Sequence, residues 1–199
     1  MKKIIFCILF YAFSANAQTP ADIKKVEDYL NSVSTMQADF VQMASNGTSS
    51  EGKLYISKPS KIRIEYAPPA DILIVGNGEE IIFHDKELDQ ITNIDYNDIP
   101  GTKILTNTVK IGDGKLKATD FYKDAGSTTI TLEYEKQKDL GPMTLVFSNK
   151  PFELKQWKII DPQGIEITLS LYDLTTNKPL DENLFSYKVK SRKNAKRRH

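Results

Sequence analysis

The chain has 199 residues, a formal net charge of +1, 40% hydrophobic residues and a single cysteine. That length suits one domain with a sizeable core, and the near-neutral balance argues against nucleic acid as a main partner. The lone cysteine excludes an internal disulfide framework.

The N-terminus reads as an export signal. Lys2 and Lys3 supply a positive start, residues 4–13 form an apolar run, and Ala15-Asn16-Ala17 is a small-x-small cleavage site. The run is too short for a spanning helix, which needs about 20 apolar residues. Residues 1–17 are therefore expected to be removed, leaving Gln18 first. A retained N-terminal anchor is the alternative. Cys7 lies inside the signal, so the remaining chain has no thiol for a nucleophile or a metal site. Without Lys2 and Lys3, the 27 basic residues fall to 25 against 26 acidic ones. The charge is uneven. Lys188, Lys190, Arg192, Lys193, Lys196, Arg197 and Arg198 gather in the last twelve residues, leaving an acidic body. Residues 188–199 are expected to form a basic, disordered tail, with attraction to anionic lipid headgroups as the other reading.

One helix is expected near the start. Thr19-Pro20-Ala21-Asp22 has an N-cap, a proline at the first helical position and an acid three residues after the cap. Ile23, Val26, Tyr29, Leu30 and Val33 then form one apolar stripe. Period two follows. Met36, Ala38 and Phe40 alternate with polar neighbours, Ser45-Asn46-Gly47 is a turn, and residues 53–56 read as a strand. Ile62, Ile64 and Tyr66 alternate with Lys61, Arg63 and Glu65, the pattern of a half-buried strand, which Pro68-Pro69 ends. Residues 72–75 and 81–84 should form a hairpin around Gly76-Asn77-Gly78, and residues 90–94 another strand. Between 98 and 117 the alternation stops. Ile104, Leu105 and Val109 sit at near-helical spacing between Pro100-Gly101 and Gly112-Asp113-Gly114, which predicts a short helix. Strands resume at 121–122, 128–134, 143–147, 154–160 and 165–172, separated by the turns 139–142, 148–151 and 161–164. The expected class is mainly β (α+β). About 10–11 strands joined by short turns should be antiparallel, and a sheet that wide must curl.

Catalytic chemistry is poorly supplied. The histidines are His84 and His199. His84-Asp85 could be an acid–base pair, but a solvated strand end is the plainer reading. One usable histidine and no cysteine is a weak metal set. Asn93, Asp95, Asn97 and Asp98 do not match a calcium loop. Gly76-Asn77-Gly78 lacks the third glycine and following helix of a phosphate cradle. No nucleophile or P-loop motif is present. The chain reads as non-enzymatic, with no cofactor implied.

From Ser50 to Tyr66 the sequence resembles a known family. Glu51-Gly52-Lys53-Leu54-Tyr55-Ile56-Ser57-Lys58-Pro59-Ser60-Lys61-Ile62-Arg63-Ile64-Glu65-Tyr66 is similar to the central motif of the LolA family, the periplasmic carriers of outer-membrane lipoproteins. Phe40-Val41-Gln42 matches the F-x-Q before that motif, and Ile74-Val75-Gly76-Asn77-Gly78 looks like the family's hairpin. Leu154-Lys155-Gln156-Trp157, Asp161-Pro162-Gln163-Gly164 and Leu184-Phe185-Ser186-Tyr187 look like its last third.

The resemblance implies an incomplete β-barrel with a helical lid over a hydrophobic cavity, in a domain spanning residues 18–187. It implies a monomeric periplasmic chaperone that receives lipoproteins from an inner-membrane ABC exporter and passes them to an outer-membrane acceptor. By position, Phe40, Ile62, Ile64 and Tyr66 would face the acyl-chain cavity. Ile104, Leu105 and Val109 fall where the family has a lid helix. Lys58 stands where many members have an arginine that ties barrel to lid. Lysine is a point charge and not a planar fork, so fewer simultaneous carbonyl contacts and an easier opening are expected. A carrier of the same shape for another lipid or apolar ligand is the alternative function. An interaction module with a vestigial cavity is the third.

Overall fold

The computed structural model describes residues 19–99, 101–161 and 163–187. The expected signal segment and basic tail lie outside these residues, as do Pro100 and Pro162. Helix α1 spans Pro20–Ser32. Its start is closed by the capping box expected from sequence: the Asp22 N–H donates to Thr19 Oγ1 at 3.2 Å, and the Thr19 N–H donates to Asp22 Oδ2 at 3.3 Å. Val26 and Leu30 of the apolar stripe are buried.

Eleven strands follow. They are β1 (Thr35–Ala44), β2 (Ser49–Ser57), β3 (Lys61–Tyr66), β4 (Ile72–Asn77), β5 (Glu80–Asp85) and β6 (Gln90–Asp95), then β7 (Leu116–Lys123), β8 (Ser127–Tyr134), β9 (Met143–Asn149), β10 (Phe152–Ile160) and β11 (Glu166–Thr176). They form one antiparallel sheet in the order β6-β5-β4-β3-β2-β1-β11-β10-β9-β8-β7. Two meanders thus stand back to back, joined where the first strand pairs with the last. The sheet curls into a half-barrel. Bulges between Leu154 and Gln156 of β10 and between Ala118 and Asp120 of β7 add to its twist.

This strand order gives the sheet two free edges, β6 and β7, which are consecutive in sequence. The chain between them, residues 96–115, must travel from one edge to the other. It crosses the concave mouth and forms part of the lid. The segment was expected to hold a short helix around Ile104, Leu105 and Val109. It holds instead a 3-10 turn at Tyr96–Asp98 and another at Thr102–Leu105, after which the chain is irregular through Val109. A crossing that must reach between two strand edges and follow a curved surface has little room for a straight α-helix. Together α1 and this segment make the helical lid.

The concave face is apolar. Cross-strand register aligns Leu54 with Ile64 and Ile74, and Ile56 with Ile62 and Gly76. On the other arm it aligns Trp157 with Leu145 and Ile130. On the opposite face, residues 181–187 strap across β3 to β5. Phe185 is buried, the Arg63 Nη1–H donates to the Leu184 carbonyl at 2.9 Å, and Tyr187 Oη lies 3.1 Å from His84 Nδ1.

A lidded apolar cavity

Between the β1–β6 arm and the crossing segment lies a cavity of about 260 Å³. Its barrel wall includes Leu54, Ile62, Ile64, Tyr66, Ile74 and Ile81 from β2 to β5, with Trp157, Ile159, Ile167 and Leu169 from β10 and β11. Its roof is Ile99, Gly101, Thr102 and Leu105. A larger cleft of about 640 Å³ at the end of β7 and β8 is bordered by Lys110, Asp113, Lys115 and Lys136. It is the more polar of the two.

Two features of sequence make room for the cavity wall. Gly52 faces Phe40 and Tyr66 across the sheet. A Cβ there would lie 2.9 Å from the Phe40 ring and 2.1 Å from the Glu65 carbonyl oxygen. Its bareness lets the two rings meet edge to face, with centroids 5.2 Å apart. Gly76 likewise leaves space for Ile62 and Ile81. Tyr66 closes one end of the cavity, its hydroxyl donating to Gln42 Oε1 at 2.7 Å. Burial pushes the Tyr66 phenol up to about 12.

The sequence-derived candidates divide by place. Ile62, Ile64 and Tyr66 border the cavity, and Leu105 faces them from the roof. Phe40 shares the concave face but is only 1% exposed, packed in the floor behind Tyr66, and it does not border the void. Ile104 is buried beside Leu105 without bordering it. Val109 lies beyond the 3-10 turn, against α1.

Several hydrogen bonds hold the lid. Lys58, in the β2–β3 turn, donates from Nζ to the Leu30 carbonyl at 2.6 Å. Leu30 is in the last turn of α1, whose final carbonyls lack helical partners and which carries no basic residue of its own there. Lys58 supplies the missing cation from another element. Burial lowers its pKa to about 8. Two residues on, the Ser60 N–H donates to the Leu105 carbonyl at 2.8 Å, so one turn grips both halves of the lid. The halves are also bonded to each other. Asn31 donates from Nδ2 to the Val109 carbonyl at 3.0 Å and accepts the Val109 N–H at 2.7 Å, while Glu27 accepts the Ile111 N–H at 2.6 Å. Glu27 and Asn31, four apart on one helix face, serve the crossing segment as a strand edge would. Asn31 is not among the residues that the sequence pattern singles out. The i,i+4 spacing of two polar residues beside an irregular segment was the available signal.

His84 stacks edge-on with Tyr187, and Asp85 accepts the Leu88 N–H instead of facing the imidazole. Asp95 caps the following 3-10 turn through the Asn97 N–H at 2.8 Å. Among the described residues no group of three or more His, Cys, Asp or Glu side chains could hold a metal ion.

The family model described as "Outer membrane lipoprotein carrier protein LolA" matches residues 31–188, which includes all eleven strands and the crossing segment of the lid. The chain belongs to the LolA family. It is 26% identical over 188 residues to the outer-membrane lipoprotein carrier protein of Pseudomonas paraeruginosa, covering 88% of this chain and 87% of that one. It is 24% identical over 199 residues to the carrier of the same name from Azotobacter vinelandii, covering 93% of this chain and 95% of that one. An uncharacterized protein of Rickettsia prowazekii is 23% identical over 192 residues. Among solved structures, an uncharacterized conserved protein from Thermus thermophilus superposes with a TM-score of 0.51 at 11% identity over 86% of this chain and 95% of that one. That likeness concerns the fold alone. As a LolA member the chain falls in a carrier family and not an enzymatic one. No helix among the described residues is long and apolar enough to cross a membrane.

Proposed function

We propose that this protein carries lipoproteins through the periplasm, sheltering their acyl chains beneath the lid between an inner-membrane ABC exporter and an outer-membrane acceptor. In this reading residues 1–17 are a cleaved export signal and residues 18–187 are the carrier domain. The observation that carries it is an apolar, unfilled volume of about 260 Å³ under a roof held by a few hydrogen bonds.

Burying an acyl chain is worth about 0.8 kcal/mol per methylene, so a chain of roughly 16 carbons gains about 12 kcal/mol over water. Cargo with two or three such chains cannot cross an aqueous gap unaided. A carrier that covered every methylene would approach the ceiling near −20 kcal/mol and hold its cargo too long. The cavity is smaller than the roughly 300–1,000 Å³ of a typical ligand pocket. At this volume the roof must rise to admit a whole acyl chain. Lifting the roof breaks the Ser60–Leu105 and Gly101–Tyr134 bonds, and moving α1 with it breaks Lys58–Leu30, a modest cost that loading overcomes and release recovers. Ile62, Ile64 and Tyr66 then form the acyl-chain wall, Phe40 supports it from behind, and Leu105 is the movable contact.

The test is transfer. Exporter-bearing proteoliposomes with ATP should release an acylated lipoprotein into solution as a complex with this protein, and an unacylated cargo should not be held. Cargo that stays with the membrane would overturn the proposal. Natively purified protein carrying a different lipid would replace it with a carrier for that lipid.

A further inference from the structure

Trp157 sits in the cavity wall, yet its indole Nε1 is completely buried and has no hydrogen-bond acceptor among the described residues. The residue as a whole is 9% exposed. Leaving a buried donor unpaired is costly, and such a group calls for an explanation. The other polar side chains of the cavity are engaged: Gln42 accepts from Tyr66, and Thr102 Oγ1 donates to the Ile99 carbonyl at 3.2 Å.

The roof lies directly on this indole. Gly101 has a left-handed φ of 91°, and a Cβ there would fall 2.1 Å from Cζ2 and 3.0 Å from Cε2, the carbon bonded to Nε1. The Gly101 N–H donates to Tyr134 Oη at 2.8 Å, which sets the glycine over the ring. Raising the roof therefore uncovers the edge of the ring that bears the unused donor. A hydrocarbon chain offers it nothing. The carbonyl oxygen of an ester or amide, at the head of a covalently attached acyl chain, is an acceptor that would otherwise enter an apolar cavity unpaired.

We infer that Trp157 is the residue that recognises the acyl carbonyl: its Nε1–H bonds to the ester or amide oxygen of a bound chain and fixes how deep that chain sits. This rests on the lipid-carrier reading and adds to it a preference for acyl esters over bare hydrocarbon. A site that offers a hydrogen bond discriminates against the analogue that cannot take it.

Trp157 is the only tryptophan in the chain, so its indole N–H is a single, assignable signal. The experiment uses delipidated, nitrogen-15-labelled full-length protein with two probes of equal length, methyl palmitate and the matching alkane, supplied from cyclodextrin. Displacement of a solvatochromic dye reads affinity, and the indole N–H cross-peak reads the bond. Both probes should displace the dye, with the ester about threefold to tenfold tighter, as one net hydrogen bond predicts. The ester alone should move the indole proton downfield. In W157F the preference for ester over alkane should vanish, as should the lowering of the bound ester's carbonyl stretch. An ester that binds without moving the indole signal would overturn the role of Trp157 and leave the carrier reading standing. That spectrum decides even where W157F does not fold. Failure of both probes to displace the dye would overturn the cavity reading itself, and this inference with it.

Discussion

On β8 and β9 the concave-facing side chains Ile130, Leu132, Met143, Leu145 and Phe147 are all 0% exposed, whereas on β3 and β4 their counterparts Ile64, Tyr66 and Ile74 are only half-buried. Both sets are equally apolar and belong to one sheet. The difference is what lies on them. The β7–β11 arm is covered by α1, whose Tyr29 packs edge-on against Phe147 and Phe152 at 5.4 and 5.9 Å. The β1–β6 arm is covered only by the thin crossing segment. β8 and β9 are a core, whereas β2 to β5, with part of β10 and β11, wall a container, and the sequence pattern of the two is the same.

Truncation should separate the arms most sharply. Leu145→Ala removes a side chain from a filled interior and should cost about 3–5 kcal/mol. Ile64→Ala trims a side chain already facing a void and should cost about 1–2 kcal/mol. Urea unfolding would measure both. Equal losses would mean that the two arms are packed alike and that the cavity is not a distinct feature of the folded state.

Gly101→Ala attacks the contact between roof and wall. The left-handed φ disfavours any side chain, and the new methyl would collide with the Trp157 ring. A loss of about 1–3 kcal/mol is expected, with the roof displaced. The emission of Trp157 should shift to the red as the ring is uncovered. Unchanged emission would show that the roof can absorb the methyl without rising.

Strands were legible because each buries one face, and that imposes period two wherever the chain is regular. The capping box of α1 was equally plain. The hidden parts are those where geometry departs from period. In β10, Leu154 and Trp157 both face inward although three apart, because the bulge between Leu154 and Gln156 inserts a residue. No local pattern announces that. In β4, Gly76 and Asn77 still pair with Ile62 and Lys61, so the turn begins at Gly78, two residues later than the glycine spacing suggests. In the lid, the spacing of Ile104, Leu105 and Val109 is helical, but the segment is stretched between two sheet edges and held by Asn31 and Glu27. Tertiary bonds overrode the local preference. Of the candidate site, Ile62, Ile64 and Tyr66 were legible as a face. That Phe40 stands behind them follows from Gly52, whose effect appears only when β1, β2 and β3 are side by side.

Asn31→Ala tests whether the two lid pieces act as one. It removes both bonds to Val109 and should cost about 1–2 kcal/mol. Amide hydrogen exchange at Val109 and Ile111 should accelerate together, while the amides of β8 and β9 stay protected. Acceleration spread evenly over the whole chain would mean that the lid has no separate opening motion.

Lys58→Met should have the smallest effect on stability at neutral pH, because it removes a hydrogen bond and a buried charge together. Its signature is the pH dependence. Burial lowers the Lys58 pKa from 10.5 in the unfolded chain to about 8 in the folded one. Below pH 8 both states hold the proton, and the folded state bears the full desolvation penalty. Between about 8 and 10.5 the unfolded chain still binds a proton that the folded chain has released, so this group makes stability rise with pH there. The wild type should therefore gain on K58M as pH climbs through that window. Other lysines and tyrosines titrate in both proteins and cancel in the difference. At pH 7 the ammonium is retained, and its bond to the Leu30 carbonyl is one of the barrel's ties to α1, beside Lys123 on Asp22 and Asn177 on the Ser32 carbonyl. K58M should release bound cargo faster at that pH with little change in unfolding free energy. A flat difference across the alkaline window, with unchanged release, would place the hold on the lid at Ser60 and Asn31 instead.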